Sequence, residues 1–396
     1  MIGTPLPLVY PATFVSLLGS PGDGEKRLLS QLAMMQQHGL TDLLGLQELH
    51  DDSLVTAYTQ AFSSTHDFLS TSTPGPRGQV IFWLWRGSLL AAALAACAWV
   101  GTSSLTILPS VLLLALLLVS ITFTLPVRCT ASQFLLSETV GGLGLLIRRS
   151  KWRVLAFETR IFSHQAGDWL NAFKPRAYAA ALLEEREGSR SKLLVLHAHA
   201  SLGTDQHRGR QISETIAAAS PQAVAAMMNR ANGLENDGKS TKTGEEELVA
   251  CIFLGDLNAD YDDCVGRIVE PAGFVDAFTA GKGCPDAKSW NNENPLAKNG
   301  LLKVPCARVD HILHRPGKGL GTPTAARVVY NEPPYLSDHF GIRCDFSTID
   351  NNEDSSTPGS PTFCQSTPHS GTATPEPSLS TSSSRLSSFD DADTSS

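Results

Sequence analysis

Two short strings far apart in the chain carry groups that handle metals and protons: Gly255-Asp256-Leu257-Asn258 and Ser337-Asp338-His339. Asp256 and Asn258 are two residues apart, so in an extended turn both face one side. The carboxylate can orient or activate water, and the amide can hydrogen-bond a phosphoryl oxygen without adding like charge. An Asx turn closing a strand gives the same string, so the motif alone leaves both readings open. A histidine, whose ordinary pKa lies near neutrality, suits proton transfer, and His339 can serve once its other ring nitrogen has a partner. Asp310, in Arg308-Val-Asp-His-Ile-Leu313, sits on a strand that can lie beside it. The pair would form the Asp–His half of a triad, without a serine. Upstream, Gln47-Glu48 ends another apolar run. A carboxylate there is costly unless it meets a cation, and Mg²⁺ accepts few protein carboxylates alongside phosphate and water. His197 and His199 share one face of a strand. Zinc is the second reading for such a pair, but no third nitrogen or thiol stands near to complete a tetrahedron.

These residues follow buried-looking runs. Residues 25–47 predict a helix, with Leu28, Leu29, Leu32 and Met35 at helical spacing, then a strand over 42–47. Further strands are expected at 141–147, 154–161, 177–183, 192–198, 249–254, 307–314, 325–330 and 339–346, and a helix through 209–230. The glycines of Gly141-Gly-Leu-Gly144 resemble a nucleotide loop only superficially and are read as sheet packing. Alternating strands and helices make an α/β chain. Asn232–Glu247 reads as a mobile polar loop. The Ser/Thr/Pro-rich tail, 347–396, is too poor in apolar residues to bury a core and is expected to be disordered.

The chain has 396 residues, 42% of them hydrophobic, a formal net charge of −8 and eight scattered cysteines. The acidic balance argues against a nucleic-acid partner, which needs basic stripes. The cysteines form no framework and fit a reduced compartment. No cleavable signal peptide is read at the N-terminus. From Gly87 to Val127 there is no charged residue. That length fits two spans of roughly 20 residues each, folded as a hairpin about Gly101-Thr-Ser-Ser104 within residues 79–127. Arg77 and Arg86 precede the block and Arg128, Arg148, Arg149, Lys151 and Arg153 follow it, so the positive-inside rule puts the flanks and the motifs in the cytosol. A very apolar buried hairpin in a soluble domain is the competing reading. The expected organisation is 1–78 and 128–346 as one catalytic domain, interrupted by the hairpin and followed by the tail.

The ordered set Leu46-Gln47-Glu48, His197-Ala-His199-Ala200, Gly255-Asp-Leu-Asn258, Arg308-Val-Asp310 and Ser337-Asp-His339 resembles the endonuclease/exonuclease/phosphatase superfamily. Within it the chain is most similar to the neutral sphingomyelinases. His197-Ala-His-Ala200, the Asp168–Lys174 region and Gly255-Asp-Leu-Asn-Ala-Asp260 carry that likeness. The resemblance implies a DNase I-like four-layer α/β sandwich. It implies Mg²⁺, or Mn²⁺ in its place, at Glu48 and Asp338. It implies catalysis by Asp256, His339, Asp310 and His197, and substrate contacts from Asn258, His199 and Lys174. The substrate would be a phosphosphingolipid, cleaved to ceramide and a phosphorylated head group by a multi-pass membrane protein facing the cytosol. The likeness departs at the first strand, where Leu8–Phe14 offers no asparagine for the metal. A nuclease of the same fold, an inositol-polyphosphate phosphatase and a catalytically decayed membrane scaffold are the alternatives. Phe253 stands where the inositol branch carries a tryptophan.

Overall fold

A computed structural model describes residues 5–11, 21–37, 41–49, 52–72, 139–165, 175–187, 190–233, 249–298 and 305–347. The proposed hairpin (79–127), nearly all of the polar loop, the tail beyond residue 347, Asp168 and Lys174 lie outside these residues. Among the described residues no helix is long and apolar enough to cross a membrane.

Two six-stranded sheets form the scaffold. The first orders β11 (Pro323–Val329), β12 (Gly341–Phe346), β1 (Pro5–Pro11), β2 (Leu43–Gln47), β4 (Thr139–Arg148) and β3 (His66–Ser72). The second orders β5 (Trp152–Ile161), β6 (Ala177–Glu185), β7 (Lys192–His199), β8 (Ala250–Asp256), β10 (Asp310–Arg315) and β9 (Val275–Asp276). Period-two alternation sends one side chain set of each strand inward. Leu43, Leu145, Ile147, Leu193, Val195, Ile252, Leu254 and Ile312 thereby make one core between the sheets. On the outer face of the first sheet, Leu44, Leu46 and Leu146 pack against Leu32 and Met35 of α1 (Pro21–Gln37) and Tyr58 and Phe62 of α2 (Asp52–Phe62). On the outer face of the second, Leu194, Leu196 and Phe253 meet Ile212 of α3 (Asp205–Ala217) and Val224 and Met227 of α4 (Pro221–Ala231). The result is a four-layer α/β/β/α sandwich.

Several boundaries differ from the sequence expectation. The helix expected through 209–230 is two helices. Ser220 caps the second through the Ala223 amide, and Pro221 cannot donate to a continuing helix. The strand expected at 307–314 is regular only from Asp310, because Ala307 bridges Trp290 instead. The strand expected from 339 begins at Gly341, since His339 also bridges Trp290. α2 and β3 were not foreseen, as Val55, Tyr58 and Phe62 interleave with polar residues in a short, weakly patterned stretch.

Gly45 lets the two sheets approach closely: a Cβ there would lie 2.2 Å from Leu254 Cδ1 and 3.2 Å from His197 Nε2. Gly255 is equally constrained, with φ of 149° and a virtual Cβ 1.9 Å from the Ala198 carbonyl oxygen. It permits the tight pairing of β7 and β8 one residue before Asp256.

Candidate active site

The register of the second sheet builds the floor of the site. Asp310 of β10 pairs with Asp256 of β8, and His199 of β7 pairs with the same Asp256. All three therefore form one lateral row across neighbouring strands. The next row down is Ile312, Leu254 and His197. The site is thus the last row of the inter-sheet core, where the apolar ladder gives way to ionisable groups. Asp256, Asp310 and His339 bring potential ligand atoms within 4.8 Å of one another.

His339 Nδ1 donates to Asp310 Oδ2 at 2.8 Å. A splint of neighbouring residues holds the pair. Ser289 Oγ accepts from the amides of Val309 (3.1 Å) and Asp310 (3.0 Å), and the Ser289 carbonyl accepts from Phe340 N (2.7 Å). The Trp290 ring packs edge-on against His339, centroids 5.0 Å apart. Asn294, fully buried, donates to the Ser337 carbonyl at 2.8 Å and anchors the Ser337–His339 turn. Burial alone would lower the His339 pKa. The Asp310, Asp256 and Asp338 carboxylates outweigh it and raise the value to about 10.

Asp256 is buried, which raises its pKa, but the His199 hydrogen bond, His339 and the Asn258 amide together hold it below the usual carboxylate value. His199 Nε2 stands 3.3 Å from Asp256 Oδ2. Asn258 takes the left-handed conformation (φ 51°), gives its amide to Asp256 Oδ1 at 2.9 Å and its Nδ2 to the Ala200 carbonyl at 2.8 Å. The motif is thus an Asx turn and a site element at once.

Glu48 follows β2 with φ of 61°, a left-handed backbone that breaks the alternation of Leu44 and Leu46 toward the helices. Burial pushes its carboxyl up, Arg176 pulls it down, and Asp338 and Asp256 push it up again, to about 8. The Asp338 and Asp256 carboxylates act on Glu48 as like charges, against the pull of Arg176 and His339. Such a donor set fits a hard divalent cation.

His197 lies one row below the site. It is 1% exposed and accepts from Gln47 Nε2 at 3.1 Å, a hydrogen bond that crosses between the sheets. His197 therefore braces the residue before Glu48. Arg176 was not singled out by sequence, yet it enters the site. Its Nη1 donates to His199 Nδ1 at 2.6 Å and lies 2.7 Å from Nε2. The available signal was its place immediately before β6, two residues past Lys174.

Several histidines are kept neutral by the fold. Burial, with His199 beside it, lowers His197 to about 3, and burial followed by the Arg176 and Arg308 charges lowers His199 and His311 to about 4 each. Below the unfolded value of 6.5 the unfolded chain binds these protons and the native chain does not. Stability should therefore fall as pH drops from 6.5 toward 4, by about 1.4 kcal/mol per pH unit for each of the three. Urea titrations at stepped pH check the slope. A flat profile between pH 6.5 and 4.5 contradicts it.

A family model described as the endonuclease/exonuclease/phosphatase family matches residues 17–339. No curated protein matches the chain. Among solved structures it is similar to TDP2 of D. rerio complexed with a single-strand DNA product. Identity there is 18%, coverage is 86% of this chain and 98% of that one, and the TM-score is 0.49. It is also similar to an endonuclease/exonuclease/phosphatase from Bacteroides vulgatus, at 12% identity, 88% and 100% coverage and TM-score 0.49. A functionally unknown conserved protein from Enterococcus faecalis V583 shows 12% identity, 86% and 99% coverage and TM-score 0.48.

Proposed function

The chain belongs to the endonuclease/exonuclease/phosphatase family, and from that premise we propose a divalent-metal-dependent phosphodiesterase acting on sphingomyelin or a related phosphosphingolipid. The products would be ceramide and a phosphorylated head group. One observation carries the chemistry: the Asp310–His339 pair at 2.8 Å stands beside Asp256 in a site rich in carboxylates. The lipid substrate is supported by sequence features, the uncharged block from Gly87 to Val127 and the His197-Ala-His-Ala200 string.

Asp310 accepts the Nδ1 proton of His339 and so presents Nε2 to the site. Nε2 takes the proton of the water that attacks phosphorus. Asp256 stays ionised and orients that water, and Asn258 holds Asp256 by its amide. His199 links Asp256 to Arg176 and keeps this row rigid. Glu48 and Asp338 would hold Mg²⁺, or Mn²⁺ in its place. The ion, when bound, would supply Lewis-acid stabilisation of charge on the phosphoryl and leaving oxygens. The membrane hairpin would keep the site at the cytosolic leaflet, so that lipid chains need only partly leave the bilayer.

Ceramide release from sphingomyelin vesicles, with and without Mg²⁺, tests this reading. Turnover should vanish with EDTA and return with Mg²⁺. Glu48→Gln should raise the Mg²⁺ needed for half-maximal rate by at least the roughly 10–100-fold that losing even an outer ligand partner causes. Metal-dependent cleavage of a single-stranded oligonucleotide with no release from any sphingophospholipid would make the chain a nuclease of the family. No metal-dependent turnover of any diester would leave the scaffold reading.

A further inference from the structure

Arg176 is a positive charge delivered to the site with unusual care. Its backbone is clamped on both sides by the Gln165 side chain. Oε1 accepts the Arg176 amide at 2.9 Å, and Nε2 donates to the Arg176 carbonyl at 2.8 Å. The segment that carries Gln165 is itself tied down. Gln211, fully buried on α3, donates to the His164 carbonyl at 2.7 Å and to Ser201 Oγ at 2.8 Å, and its Oε1 accepts from Ser201 N at 2.7 Å. The Arg176 carbonyl also takes the Phe162 amide at 3.1 Å. A chain of satisfied hydrogen bonds therefore runs from the helix layer to the guanidinium.

The guanidinium ends against a histidine rather than a carboxylate. Among the described residues no carboxylate lies within ion-pair distance of it, and unlike Arg186 and Arg315, which bond backbone carbonyls, it ends at a side chain of the site. A half-buried guanidinium keeps four more donor positions than the one it spends on His199, in a planar fork that matches phosphate. Such a cation, pre-positioned and, among the described residues, in no direct ion pair while it acts on Glu48 from further off, is arranged to receive an anion.

We propose that Arg176 is the phosphate-binding cation of this site, donating to the non-bridging oxygens of the phosphodiester. The proposal deepens the phosphodiesterase reading and rests on it for the identity of the substrate. Because Arg176 bonds His199 and His199 bonds Asp256, the phosphoryl group would be held beside the row that presents water to it. The Arg176 charge would then be engaged most strongly when charge builds on the equatorial oxygens.

The test uses the full chain in Mg²⁺, with Arg176→Ala and Arg176→Lys. Two quantities are read: kcat/KM on bis(p-nitrophenyl) phosphate, and affinity for inorganic phosphate by isothermal titration calorimetry. Arg176→Ala should lower kcat/KM by about 10²–10³-fold and weaken inorganic phosphate by about tenfold or more. Arg176→Lys, which restores charge without the fork, should recover part of both. The circular dichroism spectrum and the midpoint of urea unfolding identify any variant that has lost its fold, and for that case Arg176→Lys alone carries the comparison. Phosphate affinity within about twofold of the unsubstituted protein in both variants overturns the proposal, whatever happens to turnover. Failure of the phosphodiesterase reading looks different: the unsubstituted protein turns over no diester, yet the phosphate titration still reports on Arg176.

Discussion

Replacing His339 with alanine is expected to lower kcat/KM for phosphodiester cleavage by about 10²–10⁴-fold, the share a positioned general base supplies. The fold should survive, because Asn294 and Ser289 hold this turn through the backbone groups of Ser337 and Phe340 rather than through the imidazole. Asp310→Asn should be the informative companion. Burial pushes the His339 pKa down, and Asp310 is the largest of the carboxylates that bring it up to about 10. The base form of His339 is needed, so the rate should rise with pH through its pKa. Removing the Asp310 charge should move that acidic limb to lower pH while cutting the maximum rate. Asp310→Asn combined with His339→Ala should be no slower than His339→Ala alone, since the two act as one unit. Steady-state kinetics across pH on all three variants decides the matter. An unshifted limb in Asp310→Asn, or additive losses in the double variant, would show that the pair does not handle the proton.

The second large effect is on stability. Asp276→Ala should lower the unfolding free energy by about 3–5 kcal/mol, the usual loss when one partner of a buried ion pair is removed. Asp276 Oδ1 and Oδ2 accept from Arg308 Nη1 and Nη2 at 3.0 and 2.6 Å, with side-chain exposures of 11% for Arg308 and 4% for Asp276. The guanidinium also sits 4.9 Å from the centre of the Phe278 ring. Asp276 further caps the short helix Ala277–Ala280, accepting from the amides of Phe278 and Thr279. Loss of the carboxylate thus strands a charge and two amides together. Asp276→Ala with Arg308→Met should recover much of the loss, because the stranded charge goes too. Urea unfolding at neutral pH measures both. Burial alone would raise the Asp276 pKa, but Arg308 and Thr279 bring it below its unfolded value. Its contribution is therefore present above about pH 4 and fades as pH falls through the lowered native value. A loss under 1 kcal/mol for the single variant would mean the pair is not structurally important. Arg308 stands two residues before Asp310, so this anchor also sets where the Asp310–His339 pair begins.

Much of the site could be read from the chain before its fold was known. Gly255–Asn258 and Ser337–His339 follow or flank runs that must be strands, and Glu48 ends another. These are local facts, because apolar content and turn chemistry act over a few residues. Asp310 was placed beside His339 on the same grounds, and the 2.8 Å hydrogen bond joins them. Ser289, Trp290 and Asn294 had no such signal. They lie in an irregular stretch, and their work is to bond backbone groups far along the chain. His197 illustrates a different limit. Its spacing from His199 showed a shared face but not depth, and the structure sinks it one row below the site, against Gln47.

Residue types and period-two spacing were enough to determine an α/β chain, the faces of its strands and the placing of metal- and proton-handling groups at its strand ends. Each of those follows from interactions within one segment. The tertiary structure alone decided that Asp310, Asp256 and His199 stand in a single row, and that Arg176, which no sequence pattern marks, bonds His199 in it. The reason is register. A strand's own pattern says which side chains share a face, but pairing sets which residue of one strand lies beside which of the next. A slip of one position would have turned the whole row away.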